Sequence, residues 1–375
     1  MNNNIGMHRR PQQHNLERER AAWTEKKVKA GTIAQKLRAI GKISRYFRMK
    51  DCTDTIISDV CERCENRYVI QTTFCRDRLC PICSWCRARR LAHRIGEIIA
   101  VNEAEKHSRY ALLTLTVRNV AWDKLAEEIK AIMESWRRMD KRIMRAAAVI
   151  GWFRAFEVMR SNDNGDAHPH LHILLQVPPE YFDQDSKLYL FHRKDELIRQ
   201  WQECLHVNYA PSISIKAIKD NEIGYAVAEA TKYIAKESGI EKLSDADFRS
   251  YVEAVHGSRA WSTGGRMRIS DDEIEASLHD DNPASQKGTC RHCGGRLFEM
   301  REVWSATGKA YTAKFEAGYN NMNHAHNEDQ ASGDYIVNLN INSGGGNIYV
   351  GNDISGGHAG DRAGSVGGDQ GDHTK

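Results

Sequence analysis

The order of apolar patterns between residues 108 and 240 constrains the fold of this chain more than any other feature of its sequence. Runs rich in β-branched and apolar residues alternate there with stretches whose apolar residues recur at helical spacing. In chain order we predict strand, helix, strand, strand, helix, strand and helix over residues 110–117, 123–145, 152–159, 170–177, 186–206, 211–218 and 222–238. Turn-forming residues at 161–165 make the two middle strands a hairpin. This order predicts an α+β fold with a split βαβ (ferredoxin-like) antiparallel sheet.

Composition divides the chain into five segments. They are a basic helical arm (1–50), a cysteine-rich module (51–107), the strand and helix region (108–270), an accessory segment with a CxxC pair (271–319) and a Gly/Asn-rich tail (320–375). The tail holds eleven glycines between residues 344 and 371, and we expect it to be mostly disordered. An alternating stretch at 337–350 also fits a hairpin or self-association.

Charge and hydropathy favour a nucleic-acid partner and argue against a membrane-spanning protein. Residues 1–100 carry 21 Lys and Arg against 10 Asp and Glu, a local charge of +11 that favours a polyanion partner such as nucleic acid. The longest apolar run, residues 146–153, is only eight residues, whereas a membrane helix needs about 20. The N-terminus has no apolar leader, so we expect a cytoplasmic protein whose ten cysteines are thiols or metal ligands.

Two histidines on one predicted strand form the first candidate site. His170 and His172 are two residues apart, so both point to the same face of the strand. If the hairpin folds symmetrically about residues 164 and 165, Glu157 lies opposite His172, and a slip of two residues leaves it on the same face. Two imidazoles and a carboxylate suit Mg²⁺ or Mn²⁺ with open positions for phosphate oxygens. His168, at the mouth of the strand, is either a further ligand or only a neighbour.

The last predicted helix carries the second candidate site. Glu229, Tyr233 and Lys236 are spaced to share one face of that helix. A tyrosine can attack phosphorus once its phenol loses a proton, and a nearby lysine can neutralise phosphate charge. Glu229 can act as a general base for water. An ordinary amphipathic helix with a half-buried tyrosine is the alternative when this pattern is taken alone.

Six cysteines in the cysteine-rich module predict a structural zinc site. Cys61 and Cys64 precede Cys80 and Cys83 by fifteen intervening residues, which is zinc-ribbon spacing. Cys75 and Cys86 are also present, so any four of the six can complete the tetrahedron. The Cys290–Cys293 pair resembles half of a ribbon, which either pairs with another module or subunit or forms a zinc-free turn.

Several segments in this order resemble the HUH endonuclease superfamily and, more closely, the plasmid rolling-circle replication initiators of the Rep_1 type. They are the cysteine block at 75–85, a strand motif at 113–116, the HxH strand at 168–175 and the tyrosine helix at 229–236, with a weaker element at 259–265. The resemblance implies an HUH nuclease domain behind a zinc-binding module. It also implies that Tyr233 is the nucleophile, which forms a 5′-phosphotyrosine and frees a 3′-OH. Tyr225 lies about 80° around the helix from Tyr233, and we expect it to pack rather than react.

The same resemblance assigns roles to the other site residues. It implies that His170 and His172 hold the catalytic metal and that Glu229 activates the water that ends the cycle. We therefore expect metal-dependent, site-specific nicking and rejoining of single-stranded DNA, with Lys236 offsetting developing charge. The expected partners are origin DNA, double- and single-stranded, and a host helicase, but no membrane.

Three other functions fit parts of the sequence. A relaxase or transposase of the same superfamily is the nearest, but the zinc module upstream of the HxH strand favours an initiator. A non-enzymatic, zinc-containing DNA-binding regulator would not need Tyr233 or His170. A metal hydrolase of small phosphoesters would form no covalent adduct with DNA.

Overall fold

The computed structural model describes residues 15–104, 108–219, 222–235, 239–270, 272, 274, 289–290, 292–315, 337–339 and 350–352. The chain has an α+β fold with antiparallel sheets. The helices are α1 (Asn15–Ala39), α2 (Ile43–Lys50), α3 (Pro81–Ala104), α4 (Leu125–Arg145), α5 (Lys194–Leu205), α6 (Ile223–Ala235) and α7 (Asp245–Val255). The strands are β1 (Thr55–Cys61), β2 (Arg67–Thr72), β3 (Arg109–Thr116), β4 (Gly151–Arg160), β5 (Ala167–Val177), β6 (Ile213–Ile218), β7 (Trp261–Gly265), β8 (Leu297–Ser305), β9 (Ala310–Phe315), β10 (Val337–Leu339) and β11 (Val350–Asn352).

Five antiparallel strands form the sheet that carries the candidate site. Their spatial order is β6-β3-β5-β4-β7. Along the chain, β3, α4, β4, β5, α5, β6 and α6 follow one another in the predicted order. Two helix starts differ from the prediction. Asp123, where the first helix was predicted to begin, lies in a short 3-10 turn before α4, and a separate 3-10 turn, Lys187–Phe191, precedes α5.

Helices cover both faces of this sheet because its strands are apolar on both sides. On β5, Leu171 and Ile173 belong to one core together with the apolar faces of α4, α5 and α7. Leu174, on the opposite face of β5, belongs to a second core with α3 and α6. Because side chains alternate along a strand, His170 and His172 share the α6 side with Leu174. Strand periodicity therefore directs both imidazoles towards the tyrosine helix.

A second antiparallel sheet joins two distant parts of the chain. Its order is β2-β1-β8-β9, and its register places Thr55 opposite Val303 and Cys61 opposite Leu297. By composition these strands fall in separate segments, 51–107 and 271–319, and nothing local in either segment reveals its partner. The structure therefore ties the accessory segment to the cysteine-rich module.

Helix α1 packs against both halves of the molecule, since it contacts α7 on one side and β9 on the other. Arg20 Nε lies 2.6 Å from Glu302 Oε1, and Glu302 also pairs with Arg67 on β2. The side chains of Glu302 and Arg67 are each 1% exposed. Removing one partner of such a buried pair costs about 3–5 kcal/mol, so this cluster fixes the basic arm in place.

The C-terminal segment 320–375 lies outside the described residues except for two short strands. β10 and β11 pair antiparallel, with Val337 opposite Asn352 and Leu339 opposite Val350. The hairpin alternative for this stretch is therefore confirmed. Among the helices of the described part of the chain, none is long and apolar enough to cross a bilayer.

Candidate active site and metal centres

The register of the β4–β5 hairpin decides which side chains meet. Arg160 pairs with Ala167, and the loop closes through a hydrogen bond from Ser161 N to Asp166 O of 2.8 Å. Gly165 adopts a left-handed φ of +79°, which glycine takes without steric cost. Glu157 therefore lies opposite His170 rather than His172, a slip of two residues from the symmetric prediction. It stays on the predicted face.

Glu157, His170 and His172 form one compact group. Glu157 Oε2 lies 2.6 Å from His170 Nε2 and 3.0 Å from His172 Nε2. The three residues are 3%, 5% and 9% exposed, respectively. Ligands of an octahedral Mg²⁺ at about 2.1 Å are about 3.0 Å apart, so these separations fit a divalent ion after a small outward shift of one imidazole. The three donors can therefore hold a metal ion, as their type and convergence indicate.

The Nδ1 atom of His170 and that of His172 each have a hydrogen-bond partner outside the three-residue group. His170 Nδ1 lies 3.2 Å from the carbonyl oxygen of His168, and His172 Nδ1 lies 3.4 Å from Thr114 Oγ1 on β3. A carbonyl can only accept, so the tautomer of His170 with its proton on Nδ1 is the one that can donate to this carbonyl and offer the Nε2 lone pair to a metal ion. Such backing partners orient metal-binding imidazoles.

His168 lies beside this group rather than within it. Its Nδ1 lies 2.7 Å from Asn119 Oδ1, and its ring centroid is 5.2 Å from that of His170. Burial and the neighbouring His170 lower the pKa of His168 below its ordinary value. The structure therefore places His168 as a neighbour of the three-residue group.

Helix α6 brings Tyr233 against the histidines. One face of the helix is buried through Ala226, Val227 and Ala230, and it packs on the sheet and on α3. Tyr233 lies at the rim of that face, and its ring stacks on His172 with 3.3 Å between centroids and 3° between planes. The tyrosine helix and the HxH strand are therefore in direct contact.

A carboxylate holds the phenol of Tyr233. The hydroxyl donates a hydrogen bond to Glu229 Oε1 at 2.7 Å. Burial and this hydrogen bond raise the pKa of Tyr233 above its ordinary value, so the resting phenol is protonated. Glu229 Oε2 lies 2.7 Å from Lys232 Nζ, which is 5.2 Å from the centre of the Tyr233 ring. Sequence spacing predicted a role for Lys236 but missed Lys232. The i, i+3 spacing of Lys232 from Glu229 would have indicated that these two side chains meet.

Two further predictions concern Lys236 and Tyr225 in the same part of the sequence. Lys236 lies outside the described residues. Tyr225 is 45% exposed, so the expectation that it packs is wrong. Since Tyr233 rather than Tyr225 contacts His172, a single tyrosine reaches the three-residue group in the described part of the helix.

The first cysteine cluster contains Cys52, Cys75, Cys80 and Cys83. The sulfur of Cys83 lies 3.7 Å from those of Cys52 and Cys75. Sulfurs around Zn²⁺ with bonds of about 2.3 Å are about 3.8 Å apart in a tetrahedron, whereas a disulfide needs about 2.0 Å. Hydrogen bonds from the neighbouring thiols, Cys52 first, hold the pKa of Cys75 below its ordinary value. Four buried sulfurs at this spacing can hold one tetrahedral ion.

The second cluster contains Cys61, Cys64, Cys290 and Cys293. Cys61 and Cys293 sulfurs are 3.4 Å apart, and those of Cys64 and Cys290 are 3.5 Å apart. Burial opposes ionisation of Cys290, but hydrogen bonds from Tyr68 and from backbone amides lower its pKa to about 7. Gly295 fits tightly here, because a Cβ at that position would lie 2.8 Å from Cys61 Sγ.

These two clusters correct the predicted zinc set. Cys61 and Cys64 do not join Cys80 and Cys83, because β1 carries the first pair to β8 while the second pair opens α3. Cys86 belongs to neither cluster, and Cys52 was missed because it lies outside any CxxC pair. Of the two readings of Cys290 and Cys293, the structure shows pairing with another module of the same chain.

Comparison with known proteins places the chain among replication proteins. Residues 66–312 match the Rep_1 family model, described as replication protein. A Protein rep of Streptococcus pneumoniae is 27% identical over 306 residues, which cover 78% of this chain and 92% of that protein. A Protein rep of Lentilactobacillus hilgardii is 26% identical over 277 residues, covering 70% and 86%. One from Staphylococcus aureus is 28% identical over 219 residues, covering 58% and 93%. No solved structure matches the chain.

Proposed function

Because the chain belongs to the Rep_1 family of replication proteins, we propose that it initiates plasmid rolling-circle replication by nicking one strand of origin DNA with Tyr233. The observation that carries the proposal is the stacking of the Tyr233 ring on His172, within the group that also contains Glu157 and His170. A nucleophilic phenol next to a divalent-ion donor set is the arrangement that attack on a phosphodiester requires. The order of β3, α4, β4, β5, α5 and β6 supports assignment of this sheet to the split βαβ fold of HUH nucleases.

Glu157, His170 and His172 would hold Mg²⁺ or Mn²⁺, with His168 as a neighbour. A bound ion would polarise the scissile phosphate and offset its negative charge. Stacking fixes the Tyr233 ring, so that its oxygen moves little on the way to the phosphorus. The backing contacts from Thr114 and the His168 carbonyl keep the two imidazoles directed at one point.

The first step exchanges one phosphoester bond for another. The oxygen of Tyr233 forms a bond to phosphorus as the bond from phosphorus to the 3′-oxygen breaks. The phenolic proton passes along the existing hydrogen bond to Glu229, and the leaving 3′-oxygen takes a proton from water. The products are a 5′-phosphotyrosine and a free 3′-OH that serves as a primer.

Glu229 acts again at the end of the cycle. After losing the first proton to solvent, it takes a proton from the water that attacks the phosphotyrosine. As the bond from phosphorus to the Tyr233 oxygen breaks, Glu229 returns that proton to the phenolate, and the 5′-phosphate is released. Lys232, 2.7 Å from Glu229, keeps the carboxylate directed at Tyr233. Lys236, four residues beyond Lys232 in the sequence, would offset charge that develops on the phosphate.

Structural Zn²⁺ in both four-cysteine clusters completes the proposal. Closed sites with four thiolates hold zinc without an open position for substrate. The cluster of Cys52, Cys75, Cys80 and Cys83 would fix the start of α3, and the other would fix the ends of β1 and β8. The basic residues of segment 1–100 would bind duplex origin DNA, and a host helicase would extend the single strand.

The test is a covalent-adduct assay on single-stranded origin DNA. Wild-type protein is incubated with an end-labelled oligonucleotide and Mn²⁺, and protein-linked label is read on a denaturing gel. We expect a metal-dependent adduct that Tyr233→Phe abolishes. The matched control is Tyr225→Phe, which removes an exposed hydroxyl from the same helix and should leave the adduct unchanged. An adduct that survives in Tyr233→Phe would move the nucleophile elsewhere. Wild-type protein that binds the origin without an adduct would favour a DNA-binding regulator.

A further inference from the structure

A cavity of about 350 Å³ opens beside the candidate nucleophile. Tyr233 and Glu157 form part of its lining. One part of the remaining lining comes from α1, the loop before α3 and the start of α3. The other part comes from the last residues of β4, the region around α7 and the start of β7. The basic arm and the first cysteine cluster therefore contribute directly to the surroundings of Tyr233.

The lining of this cavity is positively charged. Five cationic side chains meet two carboxylates, those of Glu157 and Glu241. The cationic residues are Lys29, Arg76, Arg78, Arg87 and Arg259. Behind the wall, burial and the neighbouring charges of Arg78 and Arg259 lower the pKa of Arg154 to about 10. The balance of +5 and −2 on the lining favours an anionic occupant.

The framework of the protein holds two of these arginines in place. Arg78 donates to the carbonyl oxygen of Val255 at 2.9 Å and to Ser258 Oγ at 2.8 Å. Arg87 donates to the carbonyl oxygen of Arg76 at 3.0 Å, which links α3 to the loop before it. That loop lies within the first cysteine cluster, between Cys75 and Cys80. A folded cluster is therefore a condition for the charged wall.

Aromatic and apolar side chains line the same cavity as the charges. Trp261, Tyr251 and Phe156 belong to the lining, together with Tyr233 itself. Nucleic-acid bases stack on aromatic side chains whatever their sequence, and Arg and Lys bind the phosphates of single strands. The volume falls in the range of about 300–1,000 Å³ that is typical of small-ligand pockets. The cavity thus combines the two surfaces that one nucleotide needs.

We infer that this cavity binds one nucleotide of the DNA strand that Tyr233 attacks, next to the scissile phosphate. The inference rests on the proposed function, since it takes the occupant to be part of the strand joined to that phosphate. The phosphate of this nucleotide lies against Arg87 and Arg259, and its base lies against Trp261. The cysteine module consequently acts in holding the single strand at the active site.

The test compares two double variants of the full chain that each remove two positive charges. Arg87→Gln with Arg259→Gln removes charge from the cavity, whereas Arg137→Gln with Lys141→Gln removes charge from the exposed face of α4. Binding of a fluorescein-labelled oligothymidylate is followed by anisotropy, without metal, over a series of salt concentrations. Each phosphate contact on a single strand contributes about 0.7 to the slope of log K against log salt. Because both arginines contact the same phosphate, we expect the cavity variant to lose about 0.7 from the slope and about tenfold in affinity, and the α4 variant to match the wild type.

Further variants and measurements distinguish a loss of charge in the cavity from a loss of folding. Arg87→Lys with Arg259→Lys should restore most of the salt slope if charge at this place matters, and thermal unfolding shows whether the Gln variant is folded. An oligonucleotide with 5-bromouracil should photocrosslink to peptides that contain Tyr251 or Trp261. Equal losses in the two Gln variants, or crosslinks confined to other parts of the chain, would overturn the inference.

The proposed function and this inference can fail separately. If Tyr233→Phe abolishes the adduct while the cavity variant binds oligothymidylate like the wild type, the cavity assignment is wrong and the nucleophile stands. If the cavity variant loses binding while Tyr233→Phe still forms the adduct, the cavity assignment stands and the nucleophile is wrong.

Discussion

Replacing Glu229 with Gln separates the two halves of the proposed reaction. Tyr233 donates to Glu229 over 2.7 Å, and burial together with this carboxylate raises the pKa of the phenol. Two unit charges at 2.7 Å repel by about 1.5 kcal/mol even at the dielectric constant of bulk water. Removing the carboxylate charge therefore lowers the pKa of Tyr233, and a difference of about 1.5 kcal/mol corresponds to about tenfold more phenolate below that pKa. This gain offsets the loss of the proton acceptor in the first nick.

The second half of the reaction has no such compensation. Water must lose a proton to hydrolyse the phosphotyrosine, and a positioned general base contributes about 10²–10⁴ to such a step. For Glu229→Gln we expect a first nick within about tenfold of the wild-type rate, and termination slower by about a hundredfold or more.

Rapid-quench kinetics on a labelled origin oligonucleotide measure both steps. Appearance of the covalent adduct gives the first rate, and its decay gives the second. The adduct should form and then persist in Glu229→Gln. Glu222→Gln is the matched control, because Glu222 lies at the start of the same helix, 3.9 Å from Lys216, and should leave both rates unchanged. Normal decay of the adduct would refute the role of Glu229 at the end of the cycle, and loss of the first nick would refute the argument that a lower pKa of Tyr233 offsets the missing proton acceptor.

Three further predictions follow from the metal centres and the packing. Zinc content by mass spectrometry should be two ions per chain, falling to one in Cys290→Ser and staying at two in Cys86→Ser; retention of both ions by Cys290→Ser would contradict the second cluster. His170→Ala should lose metal-dependent adduct formation while its anisotropy with oligothymidylate stays at the wild-type value, and an active variant would exclude the three-residue metal site. Gly264→Ala should destabilise the fold by about 1–3 kcal/mol in denaturant melts, because a Cβ there would lie 2.5 Å from Trp152 Cε2. Gly31→Ala, in the middle of α1 with no atom near the new Cβ, should instead stabilise it by about 0.5–1 kcal/mol.

Local periodicity predicted four of the five strands in the sheet that carries the candidate site, and it missed β7. The helix predicted at residues 123–145 buries the side chains that recur at helical spacing, whereas the strand predicted at residues 170–177 is a short apolar run that is buried on both faces. Turn chemistry likewise located the hairpin but not its register. Whether Glu157 faces His170 or His172 depends on how four loop residues close, and that is decided by the backbone hydrogen bond of Ser161 and the conformation of Gly165.

Local sequence patterns could not predict contacts between segments that are far apart in the sequence. Cys64 and Cys290 are 226 residues apart, and only the pairing of β1 with β8 brings them together. The spacing of Cys61 and Cys64 from Cys80 and Cys83 suggested one ribbon, yet the same spacing serves two separate clusters. Cys52 has no CxxC partner, so no short motif marks it as a ligand. The charged cavity beside Tyr233 has the same origin, since α1, α3 and β7 are far apart in sequence.

Peptide mapping of the adduct tests most directly whether Tyr233 becomes covalently joined to DNA. After reaction with origin oligonucleotide, nuclease trimming and trypsin digestion, tandem mass spectrometry identifies the residue that carries the nucleotide. Cleavage after Lys232 and Lys236 would release residues 233–236 as a short peptide. The account predicts a nucleotide phosphate on Tyr233 in that peptide. A nucleotide on Tyr225, or on any residue outside α6, would contradict it.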